Sequence, residues 1–225
     1  MEIYVNPMKT ASFDVDAQKG FTPLCPNELP VPEGDRIVPE LNKNASKANW
    51  RVGSKDCHNP NGIWVATKEN PQFSPVGKPH SDIRWNRHCE VGTKGGELLD
   101  GLPVEENYDF MVRKGVENHL HPYGAYYHTL VPVEKTGRHQ STGIIEFLKS
   151  WNVETVIVGG LATNFCVGTT AYQLKDAGFR VVVNLAACRG IDVTPTAVKE
   201  YVEKMKTDGI VVVENADEIV SLPWG

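Results

Sequence analysis

The sequence predicts an α/β protein of three layers, α/β/α, around a mainly parallel sheet of about six strands. Three observations lead there. Short β-branched runs alternate with amphipathic stretches along all 225 residues. The clearest run, Thr155-Val156-Ile157-Val158, closes at Gly159-Gly160, as suits a parallel strand covered on both faces. No linker-like stretch divides the chain, and a 40% hydrophobic content supplies one substantial core, so residues 1–225 are read as one domain.

Extended segments are expected near residues 10–16, 50–55, 109–113, 154–159, 180–184 and 210–213. Helical stretches are expected near 34–48, 138–151, 164–177 and 194–207. In the third helix Val167, Ala171 and Leu174 form an apolar stripe, Thr163 or Asn164 is positioned to cap it, and Gly178 suits its left-handed end. Right-handed crossovers carry the helices to both faces of the sheet. The stretch from Asn59 to Asp109 is rich in Pro, Gly and Asn and shows no sustained period. A loop of that length inside a compact domain is usually functional.

The net charge of -5 is evenly spread, with no Lys/Arg-rich run, which argues against nucleic acid or an anionic membrane as partner and for a small molecule. Met1 to Lys9 lack the apolar core of a signal peptide, and no stretch is long enough to cross a bilayer, so a cytoplasmic location is expected. Five cysteines, at 25, 57, 89, 166 and 188, are odd in number and irregularly spaced, which fits reduced thiols. A homo-oligomer is compatible with such a domain, but no sequence feature fixes one.

Cys166 is the candidate nucleophile. It follows the glycines that end an apolar strand and falls in the first turn of the next helix, where the dipole favours thiolate and unpaired NH groups face a developing oxyanion. Strand-end placement outweighs the alternative of an inert core cysteine, because ligands bind beyond the carboxyl ends of such strands. Asp16 ends the strand Ala11 to Val15 on the same edge and can take the thiol proton; Asp14 is the competing choice, further down the strand. Lys114 ends another strand, before Gly115, where a cation would lower a neighbouring thiol pKa. Asp56 and His58, two apart on an extended chain, point the same way, and with His88 they form a partial shell for one divalent metal ion. Zinc is preferred, with iron or manganese as alternatives.

These residues lie in motifs whose order and spacing resemble one family. Asp16-Ala17-Gln18-Lys19-Gly20-Phe21, Leu29-Pro30-Val31-Pro32-Glu33-Gly34-Asp35, Asp56-Cys57-His58-Asn59-Pro60, Trp85-Asn86-Arg87-His88-Cys89-Glu90-Val91-Gly92-Thr93-Lys94-Gly95, Lys114-Gly115 and Gly160-Leu161-Ala162-Thr163-Asn164-Phe165-Cys166-Val167 follow one another in the chain. Together they are similar to the nicotinamidase/pyrazinamidase group of the isochorismatase-like cysteine hydrolases, from about Ser12 to Ile191. The resemblance implies that fold, which is Rossmann-like, and selects Asp16 over Asp14. It implies nicotinamide as substrate, hydrolysed to nicotinate and ammonia through a thioester on Cys166. It further implies an oxyanion hole from the backbone NH groups of Ala162 and Cys166, a cis peptide before Ala162, a ring pocket lined by Phe21 and Trp85, and a metal holding the pyridine nitrogen.

The chain also departs from the group's pattern. Where an Asp and then Tyr-Ser-Ala-Phe are common after the lysine, it reads His121-Pro122-Tyr123-Gly124-Ala125-Tyr126. Some relatives add a third histidine to the metal shell, and the nearest position here is Trp64. The expected shell is therefore Asp56, His58, His88 and waters, with His80, His119, His121, His128 and His139 as surface or loop residues, although His121 lies close enough in sequence to Lys114 to reach the site. Two rivals remain: an amidohydrolase of a carbamoyl or ureido compound, which would keep Asp16, Lys114 and Cys166 without the metal trio, and a non-enzymatic binding or assembly module, which would lack at least one of them.

Overall fold

Strong β-branched runs at the expected positions build the sheet. The structure, a computed structural model, describes residues 2–223. In chain order its elements are β1 (Ile3–Val5), β2 (Thr10–Val15), α1 (Val38–Ser46), β3 (Trp50–Asp56), β4 (Pro75–Lys78), β5 (Ser81–Ile83), β6 (Phe110–Lys114), α2 (Ile144–Ser150), β7 (Thr155–Leu161), α3 (Gly168–Asp176), β8 (Arg180–Arg189), α4 (Ala197–Thr207), β9 (Val211–Val213) and β10 (Ile219–Ser221). Six strands pair in the order β6-β3-β2-β7-β8-β9. Every pairing is parallel, so the strands end along one edge in common.

Alternation along the strands sends successive side chains to opposite faces. Val156 and Val158 of β7 join the core made with α2, α3 and α4. Ile157 between them packs on the other face with Ile3, Val5 and Ile219 of the β1–β10 pair. On that second face α1 contributes Val38 and Leu41 to a cluster with Leu161, Ala187 and the aromatic loop residues Trp64 and Trp85. The three layers are thus α2/α3/α4, the sheet, and α1 with the small β1–β10 ribbon. No helix among the described residues is long and apolar enough to cross a membrane.

The differences from expectation have local causes. The first helix begins only at Val38, with Pro39 in its opening turn, where a missing NH costs nothing. The second begins at Ile144, after Gly143 at φ 90° breaks the chain direction. Neither Thr163 nor Asn164 caps the third helix. Residues Thr163–Val167 form one turn of π-helix, and the Asn164 amide pairs instead with both backbone groups of Ile191 at 2.9 and 3.0 Å. The helix does end at Gly178, φ 97°, with Phe179 N bonding to Leu174 O at 3.1 Å. The β1–β10 pair and the antiparallel β4–β5 hairpin were not expected, and the hairpin gives the long 59–109 segment its structure.

Candidate active site

Four neighbouring strands, β6, β3, β2 and β7, deliver the chemistry at their carboxyl ends. Asp16 follows the last residue of β2, Asp56 ends β3, Lys114 ends β6, and the turn after β7 carries Ala162 and Cys166. Asp16 has φ 45°, a left-handed backbone that an aspartate adopts at some cost, and this re-aims its carboxylate from the strand direction into the crevice. The peptide between Leu161 and Ala162 is cis.

Lys114 Nζ lies 2.7 Å from Asp16 Oδ2, 3.2 Å from Asp56 Oδ1, and donates to Tyr123 O at 2.7 Å. Ser54 Oγ donates to Asp16 Oδ1 at 2.7 Å. One sulfur from Cys166 and one oxygen each from Asp16 and Asp56 all lie within 4.8 Å of one another. Gln18, in the same motif as Asp16, clamps the backbone of Asp56 from both sides: Nε2 donates to its carbonyl and Oε1 accepts from its NH, each at 2.8 Å. Asp14 is held elsewhere, by Arg51 Nε at 2.9 Å and Tyr108 OH at 2.8 Å, in a buried structural pair.

The electrostatics differ from what a cysteine at a helix start suggests. Burial pushes the Cys166 thiol well above its usual value, Lys114 pulls it back, and Asp16 and Asp56 push it up again. Two carboxylates and burial outweigh one ammonium, so the thiol rests protonated and needs a base. Burial also raises the Asp16 carboxyl, against the pull of Lys114, which favours proton acceptance there. Burial works against the Lys114 ammonium, but Asp16 and Asp56 hold its pKa well above the usual value. Asp56 goes the other way: burial alone would raise it, but Lys114 and His58 keep it ionised.

Asp56 turns its second oxygen to the imidazoles. Oδ2 is 3.3 Å from His58 Nε2 and 3.9 Å from His88 Nε2. His58 Nδ1 faces Gly115 O at 3.2 Å and His88 Nδ1 faces Asn86 O at 2.6 Å. A carbonyl only accepts, so each Nδ1 donates there, and each Nε2 is the ring atom on the Asp56 side. A Cβ at Gly115, φ 62°, would stand 2.5 Å from the His58 ring, so glycine is what lets this imidazole in.

The structure brings a further imidazole here that the sequence reading left among surface or loop residues. His121 is 3% exposed, and one ring nitrogen from each of His58, His88 and His121 lies within 4.8 Å of the others. His58 Nε2 and both His121 nitrogens meet no hydrogen-bond partner. Nitrogen donors with a carboxylate beside them suit a divalent transition metal. Burial pushes His88 down to about 3 and His121 well below its usual value, which keeps both rings neutral. Trp64 walls the cluster, its ring 4.4 Å from His58 and 4.5 Å from His121.

A narrow, largely apolar pocket borders both halves, and Phe21, Trp85, His88, His121, Ala162 and Cys166 are among its walls. Phe165 and Tyr123 also line it; the first lies in the nucleophile motif and the second in the segment that departs from the family pattern, but neither was expected in the pocket. Phe165 stands edge-on to Trp85 at 5.0 Å, and Trp85 Nε1 donates to Tyr123 OH at 3.1 Å.

A doubly wound parallel sheet that gathers a thiol, a carboxylate and an ammonium on its strand ends defines a class before it defines a protein. The chain belongs to the isochorismatase domain family, which matches residues 10–217. Its relatives in that family include nicotinamidases. A nicotinamidase of Acinetobacter baylyi is 32% identical over 181 residues, 79% of this chain and 80% of its own length. A nicotinamidase/pyrazinamidase of Acinetobacter baumanii superposes with a TM-score of 0.81 at 29% identity, covering 95% of this chain and 99% of the other. A pyrazinamidase of Pyrococcus horikoshii in complex with zinc superposes with a TM-score of 0.70 at 28% identity, covering 91% and 98%.

Proposed function

We propose that the protein is a nicotinamidase, an amidohydrolase that converts nicotinamide to nicotinate and ammonia. The observation that carries the reading is the buried Asp16–Lys114 pair set against Cys166 at the wall of an apolar pocket lined by aromatic rings.

Asp16 takes the proton of Cys166, and the sulfur forms a bond to the carboxamide carbon. Charge gathers on the carboxamide oxygen, where the backbone NH groups of Ala162 and Cys166 receive it. The C–N bond breaks, Asp16 returns its proton to the leaving nitrogen, and ammonia departs from a thioester. Water then adds to the thioester carbon, giving one proton to Asp16; the C–S bond breaks, Asp16 returns that proton to the sulfur, and the acid leaves as nicotinate with its remaining proton passing to solvent. Lys114 stays charged throughout and offsets the negative charge that moves between Asp16 and Cys166. Phe21 and Trp85 hold the flat ring so that the carboxamide meets the sulfur.

Asp56, His58 and His88 would hold the divalent metal, preferably zinc. When bound it supplies a Lewis-acid site for the pyridine nitrogen. The zinc complex of the Pyrococcus pyrazinamidase supports this reading. All five cysteines are free thiols, which suits the reducing cytoplasm and a mechanism that needs Cys166 reduced.

The test compares metal-loaded enzyme on nicotinamide and on benzamide, which lacks the ring nitrogen. Nicotinamide should be favoured by roughly 10²-fold or more in kcat/KM. Equal turnover of the two, or release of ammonia from a ureido compound alone, would overturn the reading.

A further inference from the structure

His121 is the buried group at the site to which the family resemblance assigns no role. Its ring is shut off from solvent, and neither nitrogen finds a donor or acceptor among the described residues. A buried polar group left so is uncommon without a ligand to satisfy it. The ring lies parallel to His58, centroids 5.1 Å apart at 13°, and edge-on to His88 at 5.7 Å and 72°. The position where some relatives carry a third histidine is Trp64, whose indole NH is only a donor and cannot ligate.

We propose that His121 is the third imidazole ligand of the metal, supplying from the loop after β6 the donor that Trp64 cannot, and that this bond fastens that loop across the site. The proposal rests on the nicotinamidase reading only for the presence of the metal. The loop is anchored on both sides of the ligand. His121 N donates to His80 O at 2.8 Å, at the tip of the β4–β5 hairpin. Two residues on, Tyr123 OH donates to Asp82 Oδ1 at 2.8 Å on the same hairpin, while Tyr123 O accepts from Lys114 Nζ. Ligation at His121 therefore ties the metal to the segment that also holds Lys114. Asp56 makes the matching link on the other side, with one oxygen toward the imidazoles and the other toward Lys114.

Zinc affinity of the full chain, measured by chelator competition, tests this with His121→Phe, which keeps a flat ring without donors, and His128→Phe as control. The phenylalanine at 121 should weaken zinc by more than the roughly 10–100-fold typical of an outer partner, and that at 128 should change nothing. Proton NMR of the cobalt(II)-loaded wild type supplies a reading that needs no variant: three sets of shifted imidazole resonances are expected. Two sets, or wild-type zinc affinity in a folded His121→Phe, would overturn the proposal; if that variant does not fold, the cobalt spectrum decides. Nicotinamide hydrolysis by the same preparation separates the two readings. Two imidazoles in an active enzyme sink His121 alone, and three in an inactive one sink the substrate assignment alone.

Discussion

Lys114 Nζ stands 2.7 Å from Asp16 Oδ2 with both side chains wholly excluded from solvent. With Asp56 3.2 Å away, one ammonium balances two carboxylates that are closed off from bulk solvent. Lys114→Met should leave both acids uncompensated, a loss of about 3–5 kcal/mol of stability. Turnover should fall at least ~10²-fold in whatever fraction folds. Urea melts and ammonia release check the two effects separately, and a stable, active variant would contradict the arrangement.

The clamp made by Gln18 predicts a subtler defect. Gln18→Ala strips hydrogen bonds from the buried NH and carbonyl of Asp56, each worth about 1–3 kcal/mol when left unmade. Because Asp56 also borders the imidazoles, metal affinity should fall ~10–100-fold. Chelator competition and thermal melts in excess metal report both; loss of stability alone would show that Asp56 does not depend on the clamp.

Two glycines predict opposite outcomes for one substitution. A Cβ at Gly160, φ 134°, would stand 1.9 Å from Val15 O, where β2 and β7 converge beside the nucleophile turn. Gly160→Ala should cost more than ~4 kcal/mol, a large share of the roughly 5–15 kcal/mol that holds a typical domain folded. Gly178, φ 97°, has nothing within 4 Å of such a Cβ, so Gly178→Ala should cost only about 1–2 kcal/mol. Soluble yield and melting temperature distinguish them.

Burial pushes the Cys188 thiol up to about 12, from an ordinary value of 9.0. The unfolded chain therefore loses this proton first. The contribution to stability is full below pH 9.0 and is lost as pH rises toward about 12, with a slope of ~1.4 kcal/mol per pH unit. Cys188→Val should remove one proton's worth of that slope between about pH 9 and 11. Denaturant midpoints across this range measure it, and an unchanged slope would mean that the thiol is not shielded in the fold.

The parts of this site that were legible in sequence are those tied to strand ends. Asp16, Lys114 and Cys166 each follow a β-branched or apolar run, so their common edge follows from parallel pairing alone. The β1–β10 pair was illegible because each strand has three residues and joins opposite ends of the chain, with no local period to signal it. His121 was legible only as a residue near enough to Lys114 to reach the site, and its place beside His58 and His88 was not, for a related reason. It lies in an aperiodic loop whose backbone is held at His121 by His80 O, at the tip of the β4–β5 hairpin, itself hidden in a Pro- and Gly-rich stretch. The thiol's resting state needed the structure as well: the helix-start argument counts the dipole, while burial and the nearness of Asp56 became visible only in three dimensions.

The claim on which the rest depends is that Cys166 carries the acyl group. Rapid-quench mass spectrometry of metal-loaded enzyme mixed with nicotinamide should find a nicotinoyl thioester on the peptide containing Cys166, with no adduct and no ammonia from Cys166→Ala. Ammonia release that persists in the alanine variant would contradict the account.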